Sequence, residues 1–347
     1  MKKALSGILV CVLLVSLLCL SGCGKKKALT IYTWADMFPE EILTGFTKET
    51  GIEINYVNFD TDETMLAKLE AANGGDYDIV IADDYILETA IGEGLVQKLD
   101  KSKIKNFGNL DDRFMHEYYD PEGEYTVPYG AGIMEIAYSP ERVGKEITGY
   151  AGLWDPELKD RVGIIANPRV ILGMALNKLG YSLNSTSEAE IREAGELLNS
   201  LAPNIRLVKD SYINDDLVSG EIDAAYCYTS NATLAKLTDP TLSIVLPEEG
   251  LGYGVMGMFV PSKAPNADAA YRFIDYICEA HNAAVCFEYL GYYCTNKAAN
   301  EFISEEMLPM VTLPEELSGS WEIVENIPGE IYDIYEDVWN QFKILCE

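Results

Sequence analysis

The chain holds two histidines, His116 and His281, and five cysteines beyond residue 30: Cys227, Cys278, Cys286, Cys294 and Cys346. No two of these cysteines stand at the C-x-x-C spacing of a zinc or redox site. Cys278 and Cys286 fall within an apolar helical pattern, which reads as buried thiols rather than a bridge. Metal ligation and histidine acid–base chemistry therefore lack material, so no metal, no cofactor and no catalysis are expected. Adjacent acids such as Glu40-Glu41 and Asp215-Asp216 have no histidine or metal cluster beside them and read as solvated faces. Gly252-Tyr253-Gly254-Val255-Met256-Gly257 satisfies G-x-G-x-x-G, yet it precedes the strand-like Met258-Phe259-Val260 instead of opening a helix. The dinucleotide reading fails on that context.

One thiol has a different prospect. Met1-Lys2-Lys3 precedes an uncharged apolar run from Ala4 to Leu20, which ends in Leu20-Ser21-Gly22-Cys23. This is the pattern of an export signal closed by a lipobox, in which the cysteine receives a diacylglycerol and the chain is cut before it. Residues 1–22 are thus expected to be a lipoprotein signal peptide, and residues 23–27 the lipidated Cys23 and a polar tether. The run is near the short end of what spans a bilayer, and nothing comparable recurs downstream. The mature protein is expected outside the cytoplasm, held to a bacterial cell membrane by its lipid.

Beyond the tether the chain has the balance of a water-soluble protein, with 48% hydrophobic and 24% charged residues over the 347-residue sequence. The net charge of −30 argues against a nucleic-acid partner and suits a small cationic ligand.

Strand and helix signals alternate at short intervals. Ala28–Thr33, Ile52–Val57 and Tyr77–Ile81 read as strands, with helices after Pro39 and over Glu63–Ala71 between them. Val162–Ala166, Ile222–Tyr228 and Leu242–Leu246 are further strands, and Ala267–Glu279 and Glu330–Leu345 are helices. Ser187 and Glu190 form a capping box before another helix. Apolar runs without alternation, such as DIVI and VGIIA, suit a parallel sheet covered on both faces, so the fold class is α/β.

Three stretches carry a family resemblance: Glu63–Leu69 leading to Tyr77-Asp78-Ile79-Val80, Gly92–Leu110, and Met174–Tyr181 (MALNKLGY). Together they resemble the spermidine/putrescine-binding proteins, extracytoplasmic receptors of polyamine ABC importers. The resemblance implies a type II periplasmic-binding-protein fold, two α/β lobes with a hinge and an interlobe ligand cleft. One lobe would comprise residues 28–131 plus 255–310, and the other 132–254 plus 311–347. The chain would cross between them near Tyr129–Ile133 and Tyr253–Gly257. It further implies a monomer that captures a polyamine and passes it to an ABC permease.

A polyamine needs carboxylates for its ammonium groups and aromatic faces for its methylenes. The family's aromatics match Trp34, Tyr85, Tyr228 and Tyr292, at the strand ends where open α/β sheets hold ligands. Its acidic anchors do not carry over. The paired carboxylates fall on Asn167 and Val170, a third falls on Met256, and the tryptophan beside it on Gly254. Asp83 stands where the family has a serine, Asp36 follows Trp34 by two residues, and Glu322 follows Trp321. Asp83 is the first candidate to replace the lost charge, with Asp36 and Glu322 beside it, although a helix cap would also explain an acid at Asp83. A receptor of the same fold for another cationic small molecule or an amino-acid derivative is the alternative.

Overall fold

The computed structural model describes residues 28–209, 212–314 and 319–346. The expected signal peptide, Cys23 and the tether lie outside the described residues. Among the described residues, no helix is long and apolar enough to cross a membrane.

The chain begins β1 (Leu29–Thr33), α1 (Glu40–Thr50), β2 (Ile54–Asn58), α2 (Asp62–Ala71), β3 (Ile79–Ala82) and α3 (Asp84–Gly92). Pro39 precedes α1 as expected, Glu40 and Glu41 sit in its first turn and Lys48 in its last, and Gly51 ends it in the left-handed region. That charge order complements the helix dipole. Residues 79–82 are buried along the whole strand, which is why DIVI carries no alternation.

A long strand, β4 (Thr126–Tyr138), leads into β5 (Val162–Ile165), α4 (Pro168–Leu179), α5 (Glu188–Leu201), β6 (Ile205–Lys209), α6 (Ile213–Ser219), β7 (Ala224–Tyr228), α7 (Thr229–Thr238) and β8 (Ser243–Val245). A second long strand, β9 (Gly250–Phe259), is followed by α8 (Ala267–Ile277), α9 (Ala280–Leu290), β10 (Ser320–Ile323) and α10 (Gly329–Cys346). The capping box differs from expectation. Ser187 is the N-cap of α5 but its side chain caps nothing, because Glu190 accepts from the Ser185 hydroxyl instead.

The strands run in the order β2-β1-β3-β9-β4-β7-β5-β6. Two of them serve both lobes. The start of β4, Thr126–Pro128, pairs with Gly257–Phe259 of β9, while its end, Met134–Tyr138, pairs with β7. Between these stretches Ala131, Gly132 and Ile133 pair with Val255, Gly254 and Tyr253. The register shifts between Pro128 and Ala131, and Gly130 there has φ 103°, a bulge that only glycine takes without strain. Separate apolar cores flank this crossing. One gathers Met134 to Val162, α4, α5 and α10; the other lies on the two faces of β1, β3 and the end of β9. The molecule is therefore two α/β lobes linked by antiparallel crossing strands.

Candidate functional site

A cavity of about 280 Å³ lies beside the crossing strands. The first lobe contributes Asp83, Asp84 and Tyr85 from the turn between β3 and α3. The second contributes Asn167, Arg169 and Val170 from the start of α4, and Tyr228 from the end of β7. Gly132 and Met134 of β4, Gly252, Tyr253, Gly254 and Met256 of β9, Tyr292 and Val324 complete the wall. The parallel strands β3, β5 and β7 all direct their carboxyl ends here, as open α/β sheets do toward ligands.

Of the residues singled out in the sequence, Asp83, Tyr85, Asn167, Tyr228, Met256 and Tyr292 meet at this cavity. Trp34, Asp36 and Glu322 are not among the residues that line it. The Trp34 ring packs on Phe59 with centroids 4.9 Å apart. Asp36 is exposed with φ 59°, and Glu322 accepts a hydrogen bond from the Ser182 hydroxyl. Asp84, Arg169 and Tyr253 are lining residues that sequence reasoning passed over. Each stood next to a residue that it did weigh.

The acidic side has an unusual economy of partners. Asp83 occupies the N-cap of α3, yet its side chain makes no capping bond. Asp84 is buried and takes the local N–H groups instead: Oδ1 accepts from Tyr85 N at 2.8 Å and Oδ2 from Val255 N at 3.0 Å. Behind them, Asp62 Oδ1 accepts from Asp83 N at 3.4 Å, and the Tyr85 hydroxyl donates to Glu63 Oε1 at 3.1 Å. Among the described residues no ion pair includes Asp62, Asp83 or Asp84. Burial pushes the Asp84 carboxyl up to about 7 despite its two backbone donors. Asp83 is raised by burial and by the charge of Asp84, and Asp62 by burial and by Asp83. A cation arriving beside them would favour the charged form of all three.

The opposite side is neutral or basic. Asn167 caps α4, its Oδ1 accepting from Val170 N at 3.2 Å, while its Nδ2 donates to the Tyr228 hydroxyl at 3.1 Å. Arg169 Nη2 donates to Asn184 Oδ1 at 2.9 Å and to the Glu325 carbonyl at 3.1 Å, and its guanidinium lies 4.8 Å from the Tyr335 ring centre. Its buried Nη1 has no hydrogen-bond partner, and burial lowers its pKa. Tyr253 is fixed by a bond to Glu117 at 3.0 Å and by stacking on Trp321 at 4.0 Å. No group of three or more metal-ligating side chains occurs among the described residues.

This fold, with a polar and aromatic cavity between two lobes, defines a solute-binding protein. Residues 41–310 match the family model of the bacterial extracellular solute-binding proteins, and the chain belongs to that family. It is 32% identical to the spermidine/putrescine-binding periplasmic protein of Escherichia coli K12, over 92% of each chain. Among solved structures it resembles the spermidine/putrescine ABC transporter substrate-binding protein of Streptococcus pneumoniae. The TM-score is 0.84 and the identity 30%, over 93% of this chain and 100% of that one. A putative spermidine/putrescine ABC transporter protein of Listeria monocytogenes matches with TM-score 0.75 and 31% identity, over 92% of this chain and 99% of that one.

Proposed function

We propose that the chain is the receptor of an ABC importer and captures a small aliphatic amine, with putrescine and spermidine as the first candidates. One observation carries this reading: Asp83 and Asp84 border the cavity without a basic partner. An ammonium group entering there loses its hydration, at a cost of several kcal/mol per ion, and needs such acids to offset it. Tyr85, Tyr228 and Tyr292 supply ring faces for the methylenes. The relatives' names, which specify spermidine and putrescine, support the same class.

In this proposal residues 1–22 are removed, Cys23 carries the lipid and residues 24–27 tether a monomer. Residues 28–131 plus 255–310 close against 132–254 plus 311–347, and the closed form docks on the permease without catalysing a reaction. A second reading, a ligand with a single ammonium, is favoured by the neutral side chains of Asn167, Val170 and Met256 where the family resemblance implies carboxylates.

The test is a thermal-shift panel of aliphatic amines with calorimetry on those that shift. A ligand present at about 100 times its Kd stabilises by about 2.7 kcal/mol. Asp83→Ala should weaken the best amine by well over tenfold. A panel in which no amine of any valence shifts the melting temperature rejects the proposal.

A further inference from the structure

The two sides of the cavity carry opposite unpaired charges. Asp83 and Asp84 come from the first lobe and Arg169 from the second, and none of them has an ion-pair partner among the described residues. We infer that the ligand is an ω-amino acid, an aliphatic chain with its ammonium at Asp83 and Asp84 and a carboxylate at Arg169. The inference rests on the reading that an ammonium occupies the acidic side, and it specifies the other end.

The cavity wall weighs against two simpler ligands, a diamine and an amine with an uncharged tail. A second ammonium would find Asn167, Val170 and Met256 where it needs an acid, and would share the cavity with a guanidinium of like charge. A neutral end would leave the Arg169 guanidinium, whose Nη1 has no hydrogen-bond partner, without a counter-ion in the cavity. A carboxylate supplies that acceptor in the charge-assisted geometry that a guanidinium favours. Arg169 lines the cavity and its existing bonds use Nη2 and the ring face of Tyr335, so a carboxylate drawn to the guanidinium need not break them.

The test is calorimetry on protein produced from Gly24 onward, which keeps every described residue, with 4-aminobutyrate, 5-aminopentanoate, putrescine and cadaverine. The aminoalkanoate of best-fitting length should bind at least tenfold tighter than the diamine of equal carbon number. Arg169→Gln should erase that preference. Should Arg169→Gln fail to fold, the methyl ester of the best aminoalkanoate gives the same answer without a variant, by binding at least tenfold more weakly than the free acid. Diamines binding as tightly as aminoalkanoates, or an ester equal to its acid, overturn the inference and leave the amine receptor standing. If neither class binds, the amine reading itself fails and this inference with it.

Discussion

Oδ2 of Asp84 accepts the backbone N–H of Val255 at 3.0 Å, which ties the first turn of α3 to the strand that crosses between the lobes. The bond depends on Gly254. A Cβ placed there would lie 3.0 Å from the same Oδ2, a tight contact that the carboxylate could relieve only by giving a few tenths of an ångström. The tryptophan that the family resemblance implies at this position would bring its Cβ tight against Asp84, so the glycine suits the acid beside it. Gly254→Ala should push Asp84 off Val255 N. We expect amine affinity to fall at least fivefold by calorimetry, with a drop of a few degrees in Tm, because a displaced acceptor leaves a buried N–H unpaired.

Asp84 should also give the ligand-free protein an inverted pH response. Its carboxyl titrates near 7 in the folded chain and near 4 when unfolded, so between those values the folded state holds the extra proton. Stability from this group is fully present below about pH 4 and is lost as pH rises toward 7, on the order of 4 kcal/mol at about 1.4 kcal/mol per pH unit. Asp84→Asn removes the titration. The variant's Tm relative to the parent should therefore rise between pH 5 and pH 8 in the absence of amine. Bound amine should compress the difference, since an ammonium favours the ionised acid. A difference that stays flat across this range would mean that Asp84 does not titrate there.

The positions of Asp83, Tyr85 and Tyr228 were legible because each lies at or just after the end of a strand whose apolar run is unmistakable, while Tyr292, in the turn after α9, was legible only through the resemblance. Arg169 was equally visible but reads as an ordinary surface cation until its neighbours on α4 prove neutral and its guanidinium proves buried. Strand β9 was legible only at its end, Met258-Phe259-Val260, because residues 250–257 are rich in glycine and have poor strand propensity. What makes them a strand is long-range. Gly257 lies where a Cβ would be 2.7 Å from Leu87, and Gly252 where one would be 3.2 Å from Leu183, so the glycines allow the neighbouring layers to close. Glu322 and Trp321 likewise depend on β10 pairing with Gly250–Tyr253, a contact across some seventy residues that no local pattern announces.

The five cysteines among the described residues are all free, with Cys227, Cys278, Cys286 and Cys294 buried and Cys346 partly so. Burial pushes the thiols of Cys286 and Cys294 up to about 12 and that of Cys346 to about 11. Thiolate is the reactive form, so native protein should be nearly inert to a disulfide reagent at pH 8. Protein produced from Gly24 onward should release at most one equivalent when native and five in denaturant. Fewer than five in denaturant without reductant would reveal a bridge.

Glu135 lies just past the crossing, where β4 pairs with β7, fully buried with its Oε1 accepting the Tyr293 hydroxyl at 2.5 Å and its Oε2 unpartnered. Burial pushes its carboxyl up to about 8, so at pH 7 it is chiefly the neutral acid. Tyr293 is in turn bound through its backbone to Ala131, directly after the bulge at Gly130. The pair thus joins the start of one lobe to the segment after α9 through a single uncharged hydrogen bond. Glutamine has the same shape, keeps an acceptor for Tyr293 and never ionises, so Glu135→Gln should leave Tm at pH 7 within about a degree and raise it at pH 9, where the parent must bury a charge. Alanine leaves both a cavity and an unpaired phenol, a cost of about 2–4 kcal/mol from the two causes together. Denaturant titration of the two variants at both pH values separates charge from shape. A glutamine variant as unstable as the alanine one at pH 7 would show that the ionised carboxylate, not the neutral acid, holds the crossing together.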